Sequence, residues 1–191
     1  MIQRKSTKEL ILSSLYELLR ERPYEKITVS AIVKNCGISQ RTFYNHFKDK
    51  HDLVEWSYLH ALDDYYARNR QGITLRKWLR VMAETAWEHR LALQKIAQYS
   101  GQNSLPASLH QPLTERCLNV ISDIYGDPIT EELRSVVSFY TGGLIHYVER
   151  ALNETVIPTP EESIRLFEAC IPACLKKYFI ERLKEDAPKS S

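Results

Sequence analysis

Apolar positions recur with helical spacing along most of this chain. They fall at positions 11, 15, 18 and 19, and again at 75, 78, 79, 82 and 86. Two later segments repeat the pattern, at 133, 136, 137, 140 and 144 and then at 164, 167, 171, 175 and 178. Spacings of three and four residues place side chains on one face of an α-helix. Since no segment shows convincing strand alternation, the pattern predicts an all-α chain of about nine helices.

One segment leaves the choice between helix and strand open on composition alone. Residues 27–33 are rich in β-branched side chains, which favour strands. However, Thr28 is a good helix N-cap, and the run stops at Gly37. We therefore predict a short helix here.

The two longest predicted helices are Leu133–Leu152 and Glu161–Leu183. The second is apolar on more than one face, because Leu166, Cys170 and Cys174 lie off its main stripe. Such a helix needs cover on two sides. A second copy of the chain could complete a four-helix bundle with helices near 131–152 and 161–183, whereas burial within one monomer is the alternative.

Charge is distributed unevenly along the 191 residues. The formal net charge is only +2, but residues 1–50 hold ten Lys and Arg against five Asp and Glu, a net +5, and the remainder carries −3. We expect a domain boundary near residue 50, between a basic domain at 1–50 and a second domain at 51–191. A basic segment of this kind suits nucleic acid or an anionic membrane surface, although solvated helix faces give similar asymmetry.

The four cysteines do not form a dense disulfide or metal framework. They show no CxxC pair, and Cys170 and Cys174 lack further ligands at a companion spacing, so we expect packing roles, no metal and no cofactor. Cys36 is expected to be a small buried residue. The N-terminus lacks the apolar core of a signal peptide, and the apolar run 135–148 is too short to span a bilayer. These features predict a cytoplasmic protein without a membrane partner.

Residues 27–47 have the signals of a helix, a tight turn and a second short helix. Thr28 caps the first helix, Gly37 permits a left-handed turn, and Ser39 caps the second helix. Phe43 and Phe47 are four residues apart and therefore anchor one face of that helix. The side chains left for solvent are polar or basic: Gln40, Arg41, Thr42, Tyr44, Asn45, His46 and Lys48.

This exposed set has the chemistry needed for a DNA major groove. Gln and Arg make bidentate contacts with adenine and guanine edges, while Thr, Tyr, His and Lys bind phosphates. An ordinary polar surface is the alternative, but the turn glycine, both caps and the aromatic anchors occur together. We therefore predict a helix-turn-helix that binds double-stranded DNA.

The same stretch resembles the signature of the TetR family of bacterial transcriptional regulators, and in particular its branch of dihydroxyacetone kinase operon regulators. The residues that carry the resemblance are Ile27-Thr28-Val29, Ile32, Gly37-Ile38-Ser39, Thr42-Phe43-Tyr44, His46-Phe47-Lys48, Lys50 and Leu53. The family signature to which they belong covers about a quarter of the chain. The chain departs from the common pattern at Cys36 and Arg41, where small residues are frequent, which points to an operator preference set by Arg41.

The resemblance implies a homodimer whose first three helices bind operator DNA, while the other helices hold an effector pocket and the dimer interface. Carried over by position, Thr28, Thr42, Tyr44, His46 and Lys50 bind the DNA backbone, and Gln40 and Arg41 meet base edges. An effector would act by tilting the helix that begins near Asp49. Lys50→Ala is expected to weaken all DNA binding and to lower its salt slope by about one.

Effector-pocket candidates are aromatic and histidine side chains in the second domain, although such residues at helical spacing more often form the core. They are Trp56, Trp78, Trp87, His89, Tyr99, Phe139 and His146. Gly142 and Gly143 interrupt a long helix, where they allow a close helix approach or leave room for a ligand. The effector itself is not specified by the sequence.

Enzyme motifs are missing from the sequence: it has no phosphate-binding glycine loop, no GxSxG elbow and no HExxH. We therefore predict a non-enzymatic, ligand-responsive repressor that binds a palindromic operator as a homodimer. The alternative is a coactivator whose C-terminal domain binds a protein partner instead of a small molecule.

Overall fold

The computed structural model describes residues 6–69, 73–97, 105–154 and 157–179. Within these ranges the chain forms nine α-helices and no strand, which confirms the predicted all-α class. The helices are α1 (Thr7–Glu21), α2 (Val29–Cys36), α3 (Gln40–Tyr44), α4 (Lys50–Asn69), α5 (Leu75–Glu88), α6 (Arg90–Ala97), α7 (Leu105–Tyr125), α8 (Glu131–Leu152) and α9 (Pro160–Ala169). Short 3-10 helices occupy Tyr24–Lys26 and Ala173–Phe179. None of the helices in these ranges is long and apolar enough to cross a membrane.

The first three helices surround one hydrophobic cluster, which we call the N-terminal cluster. Its fully buried members include Ile11, Leu15, Ile32, Phe43 and Phe47. The cluster also takes Leu53 and Val54 from α4 and Ile96 from α6. The DNA-binding helices are therefore packed against the rest of the protein through two different helices.

The β-branched run forms helix α2, as predicted. The Thr28 side chain accepts a hydrogen bond from the Ala31 N–H at 3.2 Å, which satisfies a free donor at the start of the helix. At the other end Gly37 has φ +70°, and the N–H of Ile38 donates to the Val33 carbonyl at 3.0 Å. Because this left-handed conformation is unfavourable for residues with a Cβ, Gly37 ends the helix and turns the chain towards α3.

Helices α4, α5, α7, α8 and α9 enclose a second hydrophobic cluster. Trp78, Leu79, Leu113, Ile121 and Val137 are among its buried members. Helices α7 and α8 are further joined by two polar contacts, Thr114 Oγ1 to Thr141 Oγ1 at 2.7 Å and a bond between His110 Nε2 and the Ser138 carbonyl at 2.9 Å. These buried bonds fix how the two helices sit against each other.

The predicted long helix over 161–183 was wrong. Helix α9 ends at Ala169, with Cys170 as its C-cap, and the chain resumes as the 3-10 helix Ala173–Phe179. Pro172 explains the break, because proline has no N–H to donate and its ring clashes with the preceding helical turn. Residues 180–183 lie outside the described residues. Cys170 and Cys174 are exposed, so the close packing expected for these thiols was wrong as well.

Gly37 provides a test of the turn between α2 and α3. A Cβ built on Gly37 meets no atom within 4 Å, so any loss on substitution comes from the backbone conformation alone. We expect Gly37→Ala to lower the free energy of unfolding by about 1 kcal/mol, and Gly37→Asn to lower it by less, because asparagine tolerates this conformation better. Urea unfolding of the three proteins measures the difference, and equal losses for alanine and asparagine would contradict the backbone explanation.

Candidate DNA-binding site

Helix α3 is held in place by its cap and by two buried phenylalanines. The Ser39 hydroxyl accepts from the Thr42 N–H at 3.0 Å and lies 2.9 Å from the Thr42 hydroxyl. Phe43 and Phe47 are almost completely buried, and their ring centroids are 5.8 Å apart. A five-residue helix is too short to be stable alone, so these contacts are what keep it folded.

The predicted groove-binding side chains share one exposed surface. Thr42 is half-buried, and the other six predicted residues, Gln40, Arg41, Tyr44, Asn45, His46 and Lys48, are exposed. Helix α3 is shorter than the sequence suggested, because Asn45 is its C-cap and His46 and Lys48 lie in the following turn. The base-edge candidates Gln40 and Arg41 therefore lie in the first turn of the helix, and the phosphate candidates run from Thr42 and Tyr44 within the helix to His46 and Lys48 beyond its end.

Thr28 lies at the exposed N-terminus of α2. Its hydroxyl oxygen accepts the capping bond from Ala31, so the hydroxyl proton can still be donated to another acceptor. The position is consistent with the predicted phosphate contact.

The Lys50 ammonium makes contacts within the protein, whereas the sequence analysis expected its charge to reach DNA. Its ammonium donates to the carbonyl of Tyr24 at 2.7 Å, of Ile27 at 3.0 Å and of Glu25 at 3.4 Å. The same nitrogen lies 4.2 Å from the centroid of the Tyr24 ring. Because an ammonium has three protons, these bonds use all of its donors. Partial burial lowers the pKa of Lys50. In the structure its three bonds form an internal clamp between α4 and the 3-10 turn, and the predicted phosphate contact would have to compete with them.

Polar contacts also tie the start of α4 to its neighbours. The Asp49 carboxylate accepts from the N–H groups of His51 at 2.7 Å and Asp52 at 2.9 Å, which caps the helix. The Asp52 carboxylate in turn accepts from the Lys48 N–H at 2.8 Å. The His51 ring is 3.1 Å from the Tyr24 hydroxyl, and burial lowers the pKa of His51. The turn between α3 and α4 is therefore held by several hydrogen bonds.

Trp56, which we predicted for the effector pocket, packs instead against the N-terminal cluster. Its ring is 5.5 Å from that of Phe47 and stacks on His60 at 4.7 Å between centroids. The Lys8 ammonium lies 5.1 Å from the Trp56 ring and 5.4 Å from the Phe47 ring. These contacts join α1, α4 and the end of the recognition region.

Three further pocket candidates lie within the helical body. Trp78 is buried in the second cluster, and His89 stacks on Tyr16 of α1 with centroids 5.1 Å apart. Trp87 lines a small cavity between α5, α8 and α9. Trp78 and His89 do not line that cavity or the larger one described below, because periodicity identifies an inward face but not what lies opposite it.

The remaining pocket candidates do not face the interior of the described structure. Phe139 is 85% exposed and the side chain of His146 is 80% exposed, and both line an open groove on the outer face of α8 together with Ser138 and Gly142. Tyr99 lies outside the described residues.

Interior cavities are lined mainly by residues that the sequence analysis did not select. One, of about 50 Å³, is bounded by Tyr58, Met82, Leu109, Leu113 and Leu144 with further side chains of α6 and α8. Another, of about 30 Å³, lies between α5, α8 and α9. Aliphatic residues at helical spacing carry no signal that separates a cavity wall from an ordinary core.

Helix α2, the turn at Gly37 and helix α3, which is anchored by Phe43 and Phe47, form a helix-turn-helix of the kind that DNA-binding proteins use. Residues 11–55 match the family described as bacterial regulatory proteins, tetR family. The match covers the helix-turn-helix and the helices that pack against it, and shows that this part of the chain is similar to the DNA-binding segment of those transcriptional regulators. That family and the relatives below are regulators and not enzymes, which agrees with the prediction made from the sequence.

Two curated relatives match the chain over part of its length. The dhaKLM operon transcriptional activator DhaS of Lactococcus lactis is 26% identical over 80 residues, which cover 38% of this chain and 43% of that protein. The nucleoid occlusion factor SlmA of Marinobacter nauticus is 36% identical over 53 residues, covering 28% and 27%. The matches thus span less than half of either relative.

Solved structures match the fold over nearly the whole chain. The dihydroxyacetone kinase operon activator DhaS has a TM-score of 0.60 at 16% identity and covers 91% of this chain and 98% of its own. Thermus thermophilus FadR, a TetR family repressor solved with lauroyl-CoA, has a TM-score of 0.62 at 18% identity, with 96% and 99% covered. The repressor AlkX from Dietzia, implicated in biodegradation of n-alkanes, has 0.52 at 15%, with 93% and 100% covered.

The two neighbouring lysines Lys48 and Lys50 provide a matched test of the clamp. Lys50→Met should lower the free energy of unfolding by about 1–2 kcal/mol, because it removes the donor shared by three backbone carbonyls, and should leave the salt slope of DNA binding unchanged. Lys48→Met should leave stability unchanged and lower the salt slope by about one for each protomer. Denaturant unfolding and binding titrations at several salt concentrations measure both effects. A salt slope reduced by Lys50→Met would contradict the clamp.

Proposed function

We propose that this regulator is a homodimeric, effector-responsive repressor that binds a palindromic operator through α3. The observation that carries the proposal is the single exposed polar surface on a helix locked by Ser39, Phe43 and Phe47. A rigid helix presents its side chains to DNA without a further ordering cost. The two recognition helices of the dimer would enter successive major grooves, about 34–36 Å apart.

The residues of this surface fall into two groups: those placed to contact base edges and those placed to bind phosphates. Gln40 and Arg41 stand at the N-terminal end of α3, the part of a recognition helix that approaches base edges. We assign a bidentate guanine contact to Arg41, since its guanidinium matches that edge. Thr28, Tyr44 and Lys48 lie around this centre and would bind phosphates. The half-buried Thr42 and the exposed Asn45 and His46 complete the same surface.

The outer face of α8 supports self-association. Phe139 is 85% exposed at its centre, and exposed aromatic side chains of this kind mark interaction surfaces. Gly143 lies one turn further along this exposed face, and a Cβ added there meets no atom within 4 Å, so the partner's helix could approach closely. Leu166 of α9 is 41% exposed and extends the apolar surface. We assign the dimer contact to α8 and α9.

Helix α6 offers a route from an effector to the DNA-binding helices. Ala92 and Ile96 pack on the N-terminal cluster, whereas Leu93 and Ala97 line the 50 Å³ cavity. The Lys95 ammonium donates to the carbonyl of Leu19 at the end of α1. A ligand that prefers a different cavity shape would shift α6 and α4 together and change the separation of the recognition helices. The division into domains at 1–50 and 51–191 belongs to this proposal.

Selection of bound fragments from genomic DNA, followed by titration of the selected operator, tests DNA recognition. We expect Arg41→Ala to weaken operator binding by about tenfold or more and to leave binding to scrambled DNA nearly unchanged, because it removes a base contact. Lys48→Ala is the contrast and should weaken both by the same factor. If Arg41→Ala lowers the two affinities equally, the base-reading role is wrong.

Sedimentation of the protein at micromolar concentration tests the dimer surface. Phe139→Glu should convert the dimer into monomers, since it places two carboxylates in an apolar contact. Leu91→Glu is the matched control, because Leu91 is 68% exposed on α6, a helix outside the assigned α8–α9 surface. A dimer that survives the Phe139 substitution would contradict the assigned interface.

A second candidate is an activator whose body binds a protein in place of a small molecule. The 80-residue similarity to DhaS, which is named an activator, favours it, together with the exposed Phe139 surface. A wild-type chain that sediments as a monomer would leave α8 available to a different protein and would support this candidate over the homodimer.

A further inference from the structure

Six residues form one line along the outer side of α8. They follow each other at spacings of four and three residues, and they are Glu132, Val136, Phe139, Gly143, His146 and Arg150. This spacing keeps residues on one stripe of a helix and is the spacing by which two helices pack along their length. Val136 is half-buried and the other five residues are exposed. We call this set the α8 face.

Two adjacent glycines of α8 have different surroundings. A Cβ added to Gly142 would lie 3.3 Å from Nε2 of His110, so the packing of α7 against α8 accounts for a glycine there. Gly143 is exposed, and a Cβ added to it would meet no described atom within 4 Å. Because glycine inside a helix is destabilising relative to alanine, Gly143 has a cost that nothing in the described part of its own chain requires.

Phe139 and Gly143 supply a protruding ring and a gap one helical turn apart. Phe139 is 85% exposed, whereas Gly143 has no side chain. If two copies of α8 lie antiparallel with position 141 of each at the midpoint, Phe139 lies over Gly143 of the partner subunit, since both positions are equally far from 141. The twofold symmetry repeats this contact, so both gaps are filled at once.

The same arrangement pairs the charges at the two ends of the α8 face. Glu132 lies in the first turn of α8 and Arg150 in the last turn. These two positions are also equally far from 141, so Glu132 lies opposite Arg150 of the partner subunit at each end of the contact. The ring over the gap and the opposite charges are independent observations, and both require the same register.

The opposite charges are within reach of each other at the crossing angle typical of helix bundles. Positions 132 and 150 lie about 13.5 Å from the midpoint at a rise of 1.5 Å per residue. At a crossing angle of about 20°, the two helix axes are displaced sideways by about 5 Å at that point, which glutamate and arginine side chains can span. Arg150 also lies 3.5 Å from Glu154, in the order of base before acid that is less favourable within a helix.

The neighbouring registers lose these contacts. A shift of one helical turn in one direction places Phe139 against Phe139 of the partner subunit and Glu132 against the partner's His146. A shift in the other direction places Phe139 opposite the partner's His146 and Glu132 opposite the partner's Asn153. Neither register places a ring over Gly143, and neither pairs Glu132 with an arginine.

We propose that α8 recognises a second copy of this chain in one antiparallel register, with Phe139 over Gly143 of the partner subunit and Glu132 paired with Arg150 of the partner subunit. This inference rests on the proposed homodimer and adds what selects the partner. A related chain with a different charge at either end of this face would leave a charge unpaired or repelled, so the register favours self-association over mixed dimers.

Charge reversal followed by mixing tests the ion pair. Glu132→Arg and Arg150→Glu each put two like-charge pairs into the homodimer, so each should raise its dissociation constant by about tenfold or more at low salt. In an equimolar mixture of the two variants every arginine faces a glutamate, so the mixed dimer should form as tightly as the wild type. Sedimentation measures all three. A mixture that dimerises no better than its components would overturn the pairing.

Glu131→Arg is the matched control for Glu132→Arg. Glu131 is exposed in the same first turn of α8, so its reversal has the same effect on the helix dipole. The position opposite it in this register is Ala151, which is 6% exposed and carries no charge. The control should therefore change the dissociation constant by less than about twofold. Equal effects of the two reversals would overturn the assignment of Glu132.

Cross-linking along the partner's helix measures the register directly. A Glu132→Cys chain is mixed with a chain that carries His146→Cys, Arg150→Cys or Asn153→Cys, and a short bis-maleimide is added. The accessible native thiols, Cys36, Cys170 and Cys174, are first replaced by serine. We expect the Arg150→Cys mixture to cross-link fastest, because the other two positions are displaced along the axis by about 5 Å. Faster cross-linking at position 146 or 153 would overturn the register.

Gly143→Leu separates the role of the gap from stability. Leucine is a better helix former and position 143 is open, so the substitution should make the monomer more resistant to urea. It should nevertheless raise the dimer dissociation constant by about tenfold or more, because the new side chain occupies the place of the partner's Phe139. A folded variant that dimerises as tightly as the wild type would overturn the contact at Gly143.

Sedimentation of the wild type and titration with operator DNA separate the two proposals. A wild-type dimer that binds the operator but shows none of these changes overturns the register and leaves the proposed function intact. Restored dimerisation in the mixture without operator binding supports the register and contradicts the DNA-binding function. A wild-type monomer contradicts the homodimer and the register together.

Discussion

Burial of Phe43 and Phe47 beneath α3 is the contact on which the DNA-binding surface depends. A helix of five residues cannot hold its own conformation in water, so its position is set by what its inner face contacts. Each buried phenylalanine contributes about 1.5–3 kcal/mol of hydrophobic stabilisation. The same packing leaves Gln40, Arg41 and Tyr44 exposed and Thr42 half-buried, so the contacts that fold the helix also present its polar surface.

The N-terminal cluster does not stand apart from the rest of the protein. Helix α4 contributes Leu53 and Val54 to this cluster and Leu62 to the second one. Helix α6 contributes Ile96 to the N-terminal cluster, while its Leu93 lines the 50 Å³ cavity. Close-packed interiors transmit displacement because they have little free volume. Any ligand that alters the cavities beside α6 therefore acts on the same helices that support α3, and no separate signalling element is required.

Local signals predicted the helix-turn-helix well, whereas long-range arrangement was predicted poorly. Thr28 and Gly37 act through bonds within a few residues, so their roles can be inferred from sequence. Pro172 was also a local signal, and the predicted helix crossed it because apolar spacing continued beyond the break. The contacts of Lys50 and Trp56 could not be inferred in this way. A flexible cation or an amphipathic ring can interact with several kinds of partner, and the packing of α1 and α4 decides which partner lies within reach.

The hydrogen bonds that join α3 to α4 have a consequence for the geometry of the operator. Asp49 and Asp52 leave the recognition helix little freedom to swivel relative to its protomer. Inserting one base pair between two half-sites displaces one of them by about 3.4 Å and rotates it by roughly 35° around the duplex axis. A recognition helix held in this way cannot follow that rotation by a local change in its own orientation. In the proposed dimer the number of base pairs between half-sites is therefore as strict a determinant of recognition as the bases themselves.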